Sequence, residues 1–438
     1  MISKVQLIMP NFNWNAEFDI QKDPPVGLLY IAAVLLKNEY TVEITDANAE
    51  NLSVDGVLER IEAFGPDLVG ISANFSPLHN SALLLSKRIK AFDSSICVVV
   101  GGNHATACAD YMLEESRGCI DYIARGQGET VLTNLINGLN GGLKQDHIRG
   151  ISYLRNGKVV SNKPEALIDD LDGLPFPAYH LLNMSLYNRY NLITSRGCPF
   201  RCNYCASNVI CNRVRYRSPD KIIEEIEYLI TNFGNKHFWF SDDTFTANFK
   251  HTDELLDKMI EGHLNISWSC LTRVNRTKRG LLDEMKRAGC KYISYGVESG
   301  DQLMLDRMNK RITLDEVREA LIMTKEAGID MYAFFLIGYP GDTVTAVEQS
   351  FKLIQEVRPN GVSFAVVIPL PGTTLWRFLE DNNQIDYGSI EWDYLFAKTG
   401  KGQYENYPAT LAAGWCDIPD DKLIELCRKG ESLCPETD

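Results

Sequence analysis

The stretch Ser195-Arg196-Gly197-Cys198-Pro199-Phe200-Arg201-Cys202-Asn203-Tyr204-Cys205 decides how the rest of the chain is read. Three cysteines sit on a short loop, with three and then two residues between them. Three thiolates can hold three irons of a cubane cluster and leave the fourth iron open. Cys198, Cys202 and Cys205 are therefore the candidate metal ligands. A zinc knuckle is the alternative, but a closed structural zinc site takes four ligands, and Cys211 is the candidate fourth.

Outward from this loop the chain divides. At 438 residues it exceeds what one hydrophobic core supports, so two or three domains are expected. With 45% hydrophobic and 23% charged residues it reads as a globular protein. The net charge of −14 disfavours nucleic acid, whose binding draws affinity from cationic side chains. No secretory leader is recognisable at Met1 to Pro10, and no uncharged apolar run is long enough to span a bilayer. These features lead to the expectation of a cytoplasmic protein, and twelve cysteines, three of them clustered, read as reduced thiols plus a metal site rather than a secreted disulfide framework.

Residues 1–140 alternate apolar runs (Val5–Met9, Val42–Thr45, Leu68–Ser72, Cys97–Val100, Ile120–Ala124) with segments of helical spacing (Leu28–Leu36, Val57–Phe64, Ala82–Phe92). Five such repeats predict a doubly wound, Rossmann-like parallel sheet, whose ligand crevice lies beyond the strand C-termini. The residues expected there are Asn11 to Asn13, Asp46-Ala47-Asn48, Ser72-Ala73-Asn74, Gly101 to Thr106 and Arg125-Gly126-Gln127-Gly128-Glu129. The first strand-to-helix turn lacks G-x-G-x-x-G, which argues against a nicotinamide site.

Residues 141–189 read as a connector. Asn156-Gly157 predicts a hairpin between Ile151–Leu154 and Lys158–Ser161, and a proline-stiffened strap, Leu171 to Ala178, follows. Residues 190–380 alternate strand and helix patterns six times, predicting a partial (β/α)6 barrel of TIM type whose chemistry sits at the strand C-terminal ends. At those ends stand Asp242 and Asp243, suited to a cationic amine or a metal, with a helix N-cap at Asp243 as the alternative reading. Arg273 offers a bidentate fork for a carboxylate or, equally, a tie to a neighbouring loop. Residues 381–438 form a C-terminal extension that could cover the substrate pocket. It is rich in aromatics (Tyr387, Trp392, Tyr394, Phe396, Tyr404, Tyr407, Trp415), for which packing against the barrel is the plainer reading, and it includes a short helix near Asp421–Arg428.

The Cys198, Cys202, Tyr204, Cys205 pattern closely resembles the C-x3-C-x-aromatic-C signature of radical S-adenosylmethionine (SAM) enzymes. Gly296-Val297-Glu298-Ser299-Gly300 matches the G-x-E-S-G element of that family, Asp242-Asp243-Thr244-Phe245 its D-D-x-F, and Gly338 to Thr343 its G-x-P-G-[ED]-T. The resemblance implies a [4Fe-4S] cluster whose open iron chelates SAM, with Tyr204, Asp242, Asp243, Arg273, Glu298 and Ser299 as SAM-side residues. An injected electron would then cleave SAM to a 5′-deoxyadenosyl radical.

The first domain resembles the cobalamin-binding domain found in the B12-dependent branch of that family. The matching pieces are Pro24 to Ala32, Asp46-Ala47, Gly101 to Thr106 and Gly126 to Thr130. Carried over, the cobalamin-side residues are Asp46, Ala47, Ser72, Asn74, Gly101, Gly102, His104, Gly126, Gln127 and Glu129. The chain lacks the D-x-H-x-x-G histidine of the methionine-synthase type, so the resemblance implies cobalamin with its lower base detached and no histidine in its place. His104 is the tempting substitute ligand. A sheet that binds no corrinoid and merely covers the radical site is the alternative for this domain.

The resemblance implies methyl transfer to an unactivated carbon or a phosphinate phosphorus of a small-molecule substrate, with a reducing donor such as flavodoxin or ferredoxin. Radical cyclisation with the same cofactors is the enzymatic alternative, and a noncatalytic cobalamin or iron–sulfur sensor the alternative of another class.

Overall fold

The computed structural model describes residues 1–12, 23–211, 213–394 and 416–434, which gather into two compact units. The first is built on β1 (Lys4–Met9), β2 (Thr41–Asp46), β3 (Leu68–Ser72), β4 (Cys97–Gly101) and β5 (Tyr122–Ala124), all parallel. They lie in the order β2-β1-β3-β4-β5, so the chain reverses direction of winding between β1 and β3. Helices covering both faces explain the mainly apolar centres of β1 and β4: Val5, Leu7, Ile8, Val98, Val99 and Val100 are at most 2% exposed. The buried Gln6 of β1 meets a polar group of β2, its Nε2 donating to Thr45 Oγ1 at 2.9 Å.

Two further strands, β6 (Ile151–Arg155) and β7 (Lys158–Ser161), form the hairpin at Asn156-Gly157, both residues with positive φ as a type I′ turn requires. The sequence reads this hairpin as part of a connector. It instead extends the first sheet, Ile123 and Ala124 of β5 pairing antiparallel with Ser152 and Ile151. Local turn chemistry specifies a hairpin and is silent about which sheet edge receives it.

The second unit places β8 (Tyr190–Leu192), β11 (His237–Phe240), β12 (Ser267–Thr272), β13 (Cys290–Glu298), β14 (Asp330–Ile337) and β15 (Gly361–Val366) side by side in chain order. A two-stranded ladder, β9 (Ser195–Arg196) with β10 (Arg215–Tyr216), brackets the cysteine loop. β11 to β15 are parallel, and a helix makes each crossover, giving the α/β architecture expected for an open partial barrel. The helices carry their own stop and start signals. Ser218 caps Pro219–Phe233, which ends on left-handed Gly234, and Thr313 with Glu316 closes a capping box on Leu314–Glu326. Large aromatics fill the interior: Phe240 meets Trp268 edge-on at 5.1 Å, and Phe335 stacks on Phe364 at 4.9 Å.

The short helices Gln302–Arg307 and Thr374–Asp381 escape the sequence reading, while the expected C-terminal helix spans Asp420–Glu431. No helix among the described residues is long and apolar enough to cross a membrane.

The turn into β13 depends on Gly289. Its φ is +96°, and an added Cβ would stand 2.2 Å from the Ile266 carbonyl oxygen. Gly289→Ala is expected to cost about 3 kcal/mol or more. Gly234→Ala, also at positive φ but with nothing within 4 Å of the new carbon, should cost only about 1 kcal/mol. Thermal melts of the two variants against the parent protein measure the difference.

Candidate active site

The cysteine loop leaves β9 through Gly197 and rests on the C-terminal ends of the second sheet's strands. Each sulfur meets a different polar group. Cys198 Sγ lies 3.5 Å from Thr244 Oγ1, Cys202 Sγ accepts from Arg273 Nη1 at 3.2 Å, and Cys205 Sγ lies 3.2 Å from Ser207 Oγ. Ser207 in turn donates to Asp243 Oδ1 at 2.8 Å. Burial pushes the Cys198 and Cys205 thiols up, and the neighbouring Asp243 and Cys202 push the same way. A positive centre beside Cys198 and Cys205 would favour their thiolates.

Among the described residues no three His, Cys, Asp or Glu side chains converge as a mononuclear ion requires. Three sulfurs, each beside a hydroxyl or guanidinium that can hydrogen-bond to sulfur, fit an iron–sulfur cluster instead. Such contacts are one of the means by which a protein tunes a cluster.

Arg273 is the clamp of this loop. Nη1 holds Cys202, Nη2 donates to the Lys310 carbonyl, Nε reaches Asn275 Oδ1 at 3.4 Å, and the guanidinium lies 3.8 Å over the Phe200 ring. Of the two readings open in the sequence, the structure displays the loop tie. Asp242 is likewise engaged: buried, it accepts from Thr194 N and Oγ1 and from Ser195 Oγ at 3.2, 2.9 and 2.5 Å, and burial raises its carboxyl. It fixes the chain at the start of the loop, whereas Asp243 faces the loop through Ser207. Glu298 ends β13, Ser299 follows it, and both are buried.

Glu298 pairs with Lys310 Nζ at 2.7 Å, and Ser299 Oγ accepts from Asp301 N at 3.1 Å. Tyr204 packs beside Met304, Met308 and Tyr339, and its hydroxyl lies 3.2 Å from Lys310 Nζ. Thr343 and Thr373 cap the helices that follow them. Asp342 accepts from the Gly338 and Thr343 amides, and burial raises its carboxyl to about 6. Lys310, Thr244 and Ser207 are the site residues that sequence reasoning missed. Lys310 lies in Met308-Asn309-Lys310-Arg311, a stretch with no periodicity, and the positive φ of Asn309 and Arg311 is invisible in the sequence.

In the first unit the expected residues gather at the strand C-termini. Gly102 has φ +119°, and a Cβ there would meet Ala73 and Asn74 backbone at 2.8 Å, so the β3 and β4 loops touch through its bare backbone. Asn74 Oδ1 accepts from Asn103 N at 3.1 Å, Gly126 N donates to Thr106 Oγ1 at 3.0 Å, and Gln127 Oε1 accepts from Ile168 N at 2.8 Å. Ser72 and Gly101 are paired in the sheet, and Glu129 is buried in the first turn of its helix. Ala47 is fully buried, its amide bound to the Met9 carbonyl. Asp46 accepts from Ala49 N and the Tyr187 hydroxyl, which makes it a turn-former here.

His104 is also occupied. Its Nε2 lies 2.8 Å from His79 Nδ1, whose other nitrogen lies 2.8 Å from Glu115, and its Nδ1 faces Cys108 Sγ at 3.9 Å. Trp392 stacks on His79 at 4.4 Å, and Tyr387 packs on Tyr111 at 4.9 Å. These two aromatics thus pack on the first unit, not on the barrel as the sequence suggests. Phe396, Tyr404, Tyr407, Trp415 and the side chain of Tyr394 lie outside the described residues, as does Asn13.

A crevice-bearing parallel sheet together with a strand-end loop of three cysteines defines a radical SAM enzyme with a corrinoid-type domain. Residues 192–354 match the radical SAM superfamily and residues 21–136 the B12 binding domain. A protein described as an uncharacterized methyltransferase, PH0819 of Pyrococcus horikoshii, is 34% identical over 366 residues, covering 82% of this chain and 79% of its own. The anaerobic magnesium-protoporphyrin IX monomethyl ester cyclase of Rubrivivax gelatinosus is 31% identical over 396 residues, covering 87% and 71%. The solved structure of the radical SAM methyltransferase TsrM from Kitasatospora setae shares the fold, with TM-score 0.75, 17% identity and coverage of 87% of this chain and 75% of that one. The chain belongs to the radical SAM family, in the branch that carries a B12-binding domain. With the family come its cofactors, a [4Fe-4S] cluster and SAM for the second unit and cobalamin for the first.

The histidine pair makes a pH prediction. Burial lowers His79 to about 3 and His104 well below its ordinary value, so both stay neutral when folded and take up protons near pH 6.5 when unfolded. Stability is then lost as pH falls from about 6.5 toward 3, by as much as about 1.4 kcal/mol per pH unit per histidine. Melting temperature against pH should fall more steeply for the parent protein than for a His79→Gln/His104→Gln variant, whatever the variant's plateau.

Proposed function

We propose that the protein is a cobalamin-dependent radical SAM methyltransferase acting on an unactivated carbon, or a phosphinate phosphorus, of a small molecule. The observation that carries the proposal is a strand-end loop of three cysteines, each sulfur with its own polar neighbour, on a chain that also holds a B12-binding domain. When bound, the cluster supplies the electron that cleaves SAM, and cobalamin supplies a transferable methyl group.

The chain's residues supply placement. Cys198, Cys202 and Cys205 would hold the cluster, and Arg273 and Asp243 with Ser207 fix the loop that carries them. Glu298 and Ser299 would present polar groups to SAM at the end of β13. The Gly102 turn would let backbone approach the corrinoid closely, while His104 is engaged through Nε2 with His79. A low-potential carrier of flavodoxin or ferredoxin type would serve as electron donor, in the cytoplasm.

Radical cyclisation is the second reading, favoured by the 31% identity to the Rubrivivax cyclase. Candidate substrates incubated anaerobically with methyl-deuterated SAM separate the two. A product carrying the labelled methyl supports methyl transfer, and an unlabelled product that has lost hydrogen replaces it with cyclisation.

Two outcomes test the cofactors directly. Protein purified anaerobically from cobalamin-fed cells should hold close to one corrinoid per chain by mass spectrometry. Alanine at Cys198, Cys202 or Cys205 should abolish 5′-deoxyadenosine formation, and parental levels in all three variants would overturn the cluster assignment.

A further inference from the structure

Lys310 is buried, at 4% exposure, and both its ammonium and its carbonyl are spent on the catalytic apparatus of the second unit. Its Nζ donates to Glu298 Oε1 at 2.7 Å and lies 3.2 Å from the Tyr204 hydroxyl. Its carbonyl accepts from Arg273 Nη2, on the same guanidinium whose Nη1 holds Cys202 Sγ. Even its amide is used, donating to the Leu305 carbonyl at 2.9 Å.

The residues before it grip the same loop. The Met308 carbonyl accepts from Asn203 N at 3.0 Å, the Arg307 carbonyl from Asn203 Nδ2 at 2.9 Å, and Asn309 Nδ2 donates to the Arg201 carbonyl at 2.5 Å. The segment from Arg307 to Lys310 is thus a second rail against which the cysteine loop lies.

Stability alone does not account for the ion pair at its end. A buried pair contributes little net stability compared with apolar residues of similar volume. Glu298 also sits at φ +73°, a left-handed conformation that costs a non-glycine residue about 1 kcal/mol or more. The pairing of β13 with β14 shifts register between Gly296 and Glu298 to put the carboxylate there. Gly296 leaves the space: a Cβ on it would stand 2.6 Å from Glu298 Oε1 and 2.9 Å from Lys310 Nζ. Strand, glycine and lysine together hold one carboxylate aimed, at the end of a barrel strand.

We infer that Lys310 is a positioning residue that holds Glu298 for SAM and couples it, through Tyr204 and Arg273, to the loop that carries the cluster. The inference rests on the cluster-and-SAM part of the proposed function and is independent of the methyl acceptor. One charge network then serves both cofactors: losing the ammonium loosens the SAM-facing carboxylate and removes a positive charge from the cluster's surroundings.

The test uses the full-length protein with Lys310→Met, Lys310→Arg and the double variant Glu298→Gln/Lys310→Met. After anaerobic reconstitution, iron per chain, equilibrium binding of SAM and the electron paramagnetic resonance spectrum of the reduced cluster with and without SAM are measured. Lys310→Met should keep the parental iron content, bind SAM about tenfold more weakly, and show a diminished spectral change on adding SAM. Lys310→Arg should recover most of both. The double variant should bind no more weakly than Lys310→Met, because the two residues act as one unit.

Parental SAM affinity and spectra in Lys310→Met overturn the inference, and so does failure of Lys310→Arg to recover either. If Lys310→Met loses its iron or its fold, the double variant decides, since it buries no unpaired charge. Weakened SAM binding at full iron in that variant upholds the role, and parental binding overturns it. A parent protein that neither loads a cluster nor binds SAM overturns the reading of the whole site, an outcome distinct from any that concerns Lys310.

Discussion

The guanidinium of Arg273 anchors the cysteine loop at Cys202. Arg273 uses its planar fork in separate directions, one nitrogen on the Cys202 sulfur and another on the Lys310 carbonyl, and spreads its face on Phe200. A lysine cannot reproduce this, because an ammonium is a point donor with no plane to stack. The loop itself has little regular structure, so its shape is borrowed from what it leans on: β12, which delivers Arg273, and β11, which delivers Asp242 and Asp243. Remove the sheet and nothing in the loop's own residues would fix the places of the three thiols.

The first unit uses a different logic. Its crevice depends on backbone approach at Gly102 and on short side chains that tie one loop to the next, with charge kept low. Asp46 is buried and hydrogen-bonded, and two histidines are buried neutral in contact with each other. Where the second unit spends Arg, Lys, Asp and Glu on organising a site, the first is built almost wholly from amides, hydroxyls and glycine. Such a lining suits a large, hydrogen-bonding cofactor that must fit closely without being repelled.

The strands of both units were legible because buried parallel strands are apolar runs set off by turn residues, and the crossover helices because their apolar spacing is regular. Cys198, Cys202 and Cys205 were legible for another reason, that metal ligation fixes spacing along the chain. What the sequence hid are properties that exist only after folding. The β6–β7 hairpin is announced by Asn156-Gly157, yet its place at the edge of β5 is decided by distant pairing. Asp242 and Asp243 are adjacent and chemically identical, and opposite side-chain directions give one to Thr194 and Ser195 and the other to Ser207. Lys310 looks like a surface lysine until the chain closes over it. Trp392 reads as a barrel aromatic, and its partner His79 lies three hundred residues away in sequence.

The helix Asp420–Glu431 gives the C-terminal extension a weight that a pocket cover would not have. Leu423, Leu426 and Cys427 are buried, and Gly430 lies so close to Phe364 of β15 that a side chain there would strike the ring at 2.3 Å. The core of the last strand is therefore completed by residues synthesised well after it. During translation β15 must wait, its apolar face open, until this helix has emerged. In that interval the uncovered face of the last strand is open to misassociation.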